Sequence, residues 1–445
     1  MPDTKPRLSF SQIINMNVGF FGIQYSFGLQ QSAINPIYDF LGASPDELPL
    51  LNLAGPMTGL LIQPIIGALS DKTWHPRWGR RKPYFFVGAL FCSLCLFLYP
   101  FSSTLWMAAG LLWVLDAANN TAMEPYRAFI ADKLPASQHP TGFLTQSFFT
   151  GLGITLANIS LFAFQKIPFL TQSNGAIPYW VFGSFFLGSV CSISSVLWSL
   201  AKTPEIPPTE AELAALRAEK LHVFSPFIEI FHAIRDMPRV MWQLALVYLF
   251  QWYALFCYWQ NAAKSIAQSV WDTTPADKAL YGEAVGWSGL VNGWYNVVTF
   301  LSAFWLVGLA KKYSPKMVHT ACLILAGIGL LIFPMIENKY LLFAPMTGFG
   351  IAWASMMGIP YLMVVSQIPK ERFGVYMGII NMMIVIPMIL QTTTFGFIHR
   401  TLLNNDPGRA IAFGGVLLLI AAGATLLVKA APPAEDTPVM SGGGH

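Results

Sequence analysis

Along most of the chain, apolar residues run on for about twenty positions before a short polar break, and no stretch shows the period-two alternation of a half-buried strand. A hydrocarbon core about 30 Å thick is crossed by about 20 helical residues, so each run predicts one membrane-spanning helix. Twelve can be marked, over 10–40, 48–70, 83–101, 104–131, 143–166, 178–200, 239–263, 284–309, 317–336, 340–366, 374–398 and 409–429. The absence of alternation excludes an outer-membrane barrel. Met1 to Ser9 is polar and leads into the first run without a small-residue cleavage site, so no cleavable leader is expected.

The longest break, 201–238, is rich in proline and charge at its start (Thr203-Pro-Glu-Ile-Pro-Pro208), and a short surface helix is expected from Thr209. It separates six runs from six. Pro125-Tyr126, near the end of the fourth run, is echoed by Pro360-Tyr361 near the end of the tenth, and Gly142 and Gly374 open the runs that follow. The pattern predicts an all-α polytopic membrane protein: an N-terminal six-helix half over 1–200, a linker over 201–238, a C-terminal six-helix half over 239–430 and a disordered tail over 431–445. Two six-helix repeats are a common construction of alternating-access transporters, with the binding site near the midplane between them.

Composition narrows the class. Hydrophobic residues make up 54% and charged residues 11%, less than half of the roughly 25% usual for soluble domains. A net charge of +4 offers no basic patch for nucleic acid. Of the 26 Lys and Arg, 19 fall on the side of the N-terminus. Lys166, Lys264, Lys278, Lys339, Arg400 and Arg409 fall on the other, so both termini should be cytoplasmic. Cys92-x-x-Cys95 lies in an apolar run without accompanying histidines, and reads as lipid-buried rather than metal-binding.

The charges left inside the membrane gather on the fourth run: Asp116, Glu124 and Arg127. At about 100° per residue, Asn120, Glu124 and Arg127 fall within about 80° of Asp116, and Asn119 about 60° to its other side, which makes one polar stripe. Glu124 and Arg127 are neighbours three residues apart and can pair, as a structural cluster or as part of a coupling site. Asp116 has no cation one turn away. A lone carboxylate in a low-dielectric interior is costly to ionise, so its protonated form is accessible, as a proton-coupled carrier requires.

The remaining polar residues suit a sugar. The first run carries Gln24, Gln30, Gln31 and Asn35, the seventh Gln251, Trp252, Trp259 and Gln260, and the eighth Asn292 and Asn296. Sugars present hydroxyls to amides and carboxylates and an apolar C–H face to aromatic rings. For Trp259, near a span end, an interfacial aromatic belt explains the residue equally well. No nucleophile and base pair suggests an enzyme.

Between the second and third runs stands Gly67-Ala-Leu-Ser-Asp71-Lys72, ending in Gly79-Arg80-Arg81-Lys82. This resembles the cytoplasmic signature of the major facilitator superfamily. Asp71 at a helix end can pair with the basic turn, so Gly67, Asp71, Arg80 and Arg81 are expected to form a cytoplasmic gate, positive-inside anchoring being the simpler alternative. With Ile23-Gln24-Tyr25-Ser26-Phe27-Gly28, the Ala54–Gly67 segment and Ile380-Asn381-Met382-Met383, the chain resembles the sucrose-type branch of the glycoside-pentoside-hexuronide cation symporters. In that branch the pattern Leu-Asp, Asn-Asn, Pro-x-Arg carries a carboxylate and an arginine that handle proton and sugar, and these match Asp116 and Arg127. Glu124 departs from the plant pattern, and the plant carriers' acidic, Trp-containing segment is not reproduced around Gln260 to Lys264.

The resemblance implies a bacterial sucrose or maltose proton symporter, a monomer of the inner membrane that uses protons and no other cofactor. Asp116, Arg127 and Glu124 would serve proton coupling. Asp116, Asn119, Asn120, Gln24, Gln31, Arg127, Gln251, Trp252, Asn292 and Asn296 would serve sugar binding. The alternatives are a sodium-coupled glycoside symporter and an exporter of drugs or other small molecules.

Overall fold

The structure, a computed structural model, describes residues 6–429 other than 77, 136–137, 174, 206, 208–209, 211–213, 215–233 and 365–372. Most of the expected linker and the whole of the expected tail lie outside the described residues.

Among those residues the chain forms twelve long helices. They are α1 (Phe10–Phe40), α2 (Ala54–Lys72), α3 (Lys82–Leu98), α4 (Leu105–Lys133), α5 (His139–Gln165), α6 (Tyr179–Lys202), α7 (Arg239–Trp271), α8 (Lys278–Tyr313), α9 (Pro315–Ile332), α10 (Phe343–Val364), α11 (Phe373–Thr401) and α12 (Pro407–Leu426). Each falls on one of the predicted runs. A helical turn at Leu48–Leu51 precedes α2, so the second run begins with a short bent piece rather than a continuous span.

Local chemistry sets the ends. Ser9 caps α1 in a capping box, its hydroxyl accepting from the Gln12 amide while the Gln12 side chain accepts from the Ser9 amide. Thr104, Asp277 and Asp406 cap α4, α8 and α12 in the same side-chain-to-backbone manner. The α8 to α9 corner is a single residue, Ser314, at φ 92°, followed by Pro315. The largest boundary difference is at α7, which runs to Trp271 rather than stopping near 263, so Lys264 is helical.

Eight of the helices are long and apolar enough to cross a membrane by length and composition. Three of the others, α1, α4 and α8, carry the intramembrane amides and acids noted above, whose polarity lowers their hydropathy. The first six helices pack chiefly with one another, α1 on α5 and α6, and α4 on α2 and α3. The last six do likewise, α7 on α11 and α12, and α9 on α10 and α12. Between the two sets, α5 lies along α8, α2 meets α11, and α1 touches α7 and α8. In lipid, helices gain little from hydrophobic burial against each other, so close approach of small residues matters more. At the α1 to α5 crossing an added Cβ on Gly153 would stand 2.5 Å from the Phe21 carbonyl oxygen, and one on Gly28 2.7 Å from Ala157 Cβ.

Candidate functional site

A cavity lies between the two sets of helices, lined from α1, α2 and α4 on one side and from α7, α10 and α11 on the other. Its two walls differ in chemistry. The first six helices contribute Gln30, Gln31, Asn35, Gln63, Asp116 and Asn120, with Asn52 from the turn before α2. The last six contribute Trp252, Phe256, Trp259 and Trp353, with Gln260 as their single polar group and Ile384, Val385 and Met388 beside them. No Lys, Arg or His occurs among the described residues of the wall.

Asp116 is 4% exposed and faces α2 at Gly55, where an added Cβ would fall 3.5 Å from Oδ2. Among the described residues its carboxylate makes no ion pair and accepts no hydrogen bond. One turn along α4, the Asn120 amide donates to the Asp116 carbonyl (3.0 Å) and to Thr58 Oγ1 (3.2 Å). Asn120 Oδ1 accepts from Gln63 Nε2 at 2.7 Å, and Gln63 Oε1 accepts from Asn381 Nδ2 on α11 at 3.1 Å. Gln63 thus ties the carboxylate-bearing helix to the opposite set of helices.

The tryptophans hold each other. Trp353 sits 5.7 Å from Trp252 at 74° and 5.5 Å from Trp259 at 85°, the edge-to-face arrangement aromatic pairs prefer. Trp252 and Trp259 are seven residues apart on α7, two turns on one face. The Trp259 indole N–H donates to the Tyr295 hydroxyl (3.3 Å), which leaves its ring as the part available to the cavity.

The polar stripe on α4 divides. Asp116 and Asn120 face the cavity, whereas Asn119 turns to α1 and donates to Ser26 Oγ at 2.9 Å. The side chains of Glu124 and Arg127 lie outside the described set, so their expected pairing does too. Gln31 and Trp252 join the wall. Gln24, Gln251, Asn292 and Asn296 are buried in helix contacts away from it. Gln24 Nε2 points to Met123 Sδ (3.9 Å). Gln251 Oε1 meets His319 Nε2 (3.2 Å), whose Nδ1 hydrogen-bonds Ser355 Oγ (2.8 Å), joining α7, α9 and α10. Asn292 accepts from the Tyr258 hydroxyl (2.7 Å) and donates to Ser32 Oγ (3.0 Å) across the α1 to α8 contact, and Asn296 donates to the Asn292 carbonyl.

At the basic end, Gly67 lies within α2 and the side chain of Asp71 lies outside the described set. Arg81 is 4% exposed, its Nε 2.7 Å from Asp132 Oδ2 at the end of α4 and its Nη1 donating to Ser70 Oγ. Glu205, just beyond α6, accepts from the backbone amides of Arg80 (2.6 Å), Arg81 (2.9 Å) and Lys82 (3.0 Å) at the start of α3. A carboxylate at a helix N-terminus satisfies orphan donors and the helix dipole together.

Asn52, Gln63 and Trp353 were not marked by the sequence as site residues. Gln63 stands alone in an apolar run, and its only signal is being an amide where lipid would disfavour one. Among the described residues no three His, Cys, Asp or Glu side chains gather where they could hold a metal ion. The Cys92 and Cys95 thiols are buried and free.

The comparisons with known proteins agree with this architecture. The nucleoside transporter NupG superposes with a TM-score of 0.66 at 14% identity, covering 94% of this chain and 96% of its own. A bacterial homolog to the human lysosomal transporter Spinster, solved in an inward-facing and occupied conformation, gives a TM-score of 0.65 at 15% identity over 96% and 97%. In sequence, Sucrose transport protein SUT5 of Oryza sativa subsp. indica is 23% identical over 493 residues, 95% of this chain and 88% of that protein. Sucrose transport protein SUC4 of Arabidopsis thaliana is 23% identical over 481 residues, 96% of this chain and 93% of that one. Residues 16–392 match the sequence model of the Major Facilitator Superfamily, and with its helical bundle and central cavity the chain belongs to that superfamily, as a multi-pass membrane transporter and not an enzyme.

Proposed function

We propose that the chain imports a neutral disaccharide, sucrose, maltose or a related α-glucoside, together with a proton, by alternating access. One observation carries the proposal: the cavity sets a lone carboxylate and six amides against a cluster of three tryptophans, with no cation among its described residues. Such a wall disfavours an anionic ligand and suits a polyol, whose hydroxyls both donate and accept while its C–H face packs on indole rings. The similarity to sucrose transport proteins supports the same class.

In the cycle, sugar and proton enter together while the cavity opens outward, Asp116 carrying the proton. The helices of 1–200 then rock against those of 239–430 about the site, joined by the 201–238 linker. Once cytoplasmic water reaches the cavity, Asp116 loses its proton, the sugar loses a hydrogen-bond donor and both leave. Arg127, eleven residues along α4, would stabilise the carboxylate form or hold a sugar hydroxyl. The basic-rich loops set the orientation in a bacterial inner membrane, with a monomer as the working unit. Sodium coupling finds few charged ligands here, since Asp116 is the one carboxylate among the described residues of the wall.

The test is counterflow in proteoliposomes with sucrose, maltose and trehalose side by side, each at two pH values and with or without sodium. At least one sugar should exchange, faster at the lower external pH and without regard to sodium. No exchange of any sugar, or a strict sodium requirement, overturns the proposal.

A further inference from the structure

One turn beyond the cavity residue Asn35 on α1 stands Asp39, and one turn beyond the cavity residue Gln260 on α7 stands Lys264. The two meet across the boundary between the first and last six helices, Lys264 Nζ lying 3.2 Å from Asp39 Oδ1 with side chains 9% and 3% exposed. Tyr281, near the start of α8 and fully buried, donates its hydroxyl to Asp39 Oδ2. Phe40 packs on Tyr281 at 5.6 Å and on Trp180 at 6.3 Å, so the layer has an aromatic surround. By charge alone Lys264 reads as a loop residue; it is instead a buried cation inside α7.

A buried ion pair is a poor source of stability, because removing two charges from water costs about as much as their attraction returns. Its value lies elsewhere: the closed arrangement becomes strongly dependent on both partners being present. Lys264 makes that dependence sharp, since its buried ammonium has the Asp39 carboxylate, 3.2 Å away, as its counter-charge and the imidazole of His399 as a further neighbour that offers no negative charge. Asp46 and Arg400 form a second pair between the same two sets of helices, at 3.5 Å, but Arg400 is 60% exposed there and water can replace either partner at little cost.

We propose that Asp39, Lys264 and Tyr281 form the outer gate of the transport route. When the pair is made, the cavity is sealed from the side bearing few basic residues. When the two sets of helices part, water solvates both charges and the same cavity opens outward. The gate rests on the alternating-access part of the function proposed above and not on the identity of the sugar.

The test follows the distance between spin labels at Ser173→Cys, in the α5 to α6 loop, and Glu337→Cys, in the α9 to α10 loop. Both positions are exposed at the sealed end, and Cys191, the least buried native thiol, is replaced by alanine. The otherwise unaltered protein should show mainly the short distance. Asp39→Asn leaves Lys264 buried without a counter-charge and should shift the balance roughly a hundredfold toward a longer distance. Tyr281→Phe, which removes one hydrogen bond to a charged acceptor, should shift it by about tenfold and serves if Asp39→Asn does not fold. The exchange Asp39→Lys with Lys264→Asp should restore the short distance. An unchanged distance distribution in the single variants, or an exchange variant as open as Asp39→Asn, overturns the gate. The measurement needs no sugar, so a failure of sugar exchange would leave its outcome readable.

Discussion

Replacing Asp116 by asparagine should separate transport from coupling. The substitution is nearly isosteric, and no described side chain donates to or pairs with the carboxylate. It therefore strands no partner, and the fold should change in stability by less than about 1 kcal/mol. Its effect on coupling is large and calculable. One carboxylate carries one proton, and a gradient of one pH unit drives it with about 1.4 kcal/mol. A membrane potential of about 100 mV contributes about 2.3 kcal/mol more. Together these sustain a roughly 500-fold accumulation of sugar at equilibrium. An amide cannot carry the proton, so in Asp116→Asn the internal and external concentrations should become equal, a loss of more than two orders of magnitude, while sugar-for-sugar counterflow persists. The assay is uptake into proteoliposomes under an imposed gradient, with a protonophore as the reference for no driving force. Accumulation in the asparagine variant above the protonophore level would refute the assignment of Asp116 as the coupling group.

Trp353→Ala should raise the sugar KM by roughly tenfold through loss of the central indole, with Trp353→Phe intermediate, as measured by initial uptake rates. Gly153→Val places a side chain against the α1 backbone and should cost about 1–3 kcal/mol, seen as a lower melting temperature in detergent. Gly110→Val, at a position with nothing within 4 Å, should leave that temperature nearly unchanged. Glu205→Gln keeps an acceptor but removes the charge from the start of α3, and should speed amide exchange at Arg80, Arg81 and Lys82 by about tenfold while sparing sugar affinity.

The fold was largely legible because the membrane imposes a one-dimensional code. A backbone crossing hydrocarbon must satisfy its own hydrogen bonds, so span length and apolar continuity reveal each helix without knowledge of its neighbours. The errors fall where that code is weak. The segment at 48–53 is apolar enough to extend the second span, yet it bends at the Leu48–Leu51 turn because Pro49 and the amide of Asn52 serve the turn and the contact with Asn35. Lys264 looks like a terminus by charge alone, and α7 continues past it because Asp39 supplies the missing counter-charge from α1.

The cavity was legible in part: Asp116, Asn120, Gln31 and Trp252, marked from the sequence, line it, whereas Gln24, Asn119, Gln251, Asn292 and Asn296 do not. Asp116 could be found because a carboxylate inside a span is rare and its neighbours along α4 show no cation. Which of the candidate amides share its cavity could not be sorted from the sequence, because that depends on how each helix is rotated against others. Asn119 and Asn120 are adjacent, yet one serves the α1 contact through Ser26 and the other the cavity through Gln63. Gln251 and Trp252 divide in the same way, the amide turning to His319 while the indole joins the wall. A rotation of about 100° separates successive residues on a helix, so the spacing pattern locates a polar helix well and its working face poorly. The gate shows the further step: Asp39 and Lys264 are 225 residues apart and neither is unusual alone, so their joint burial is a property of the packed bundle and of no local segment.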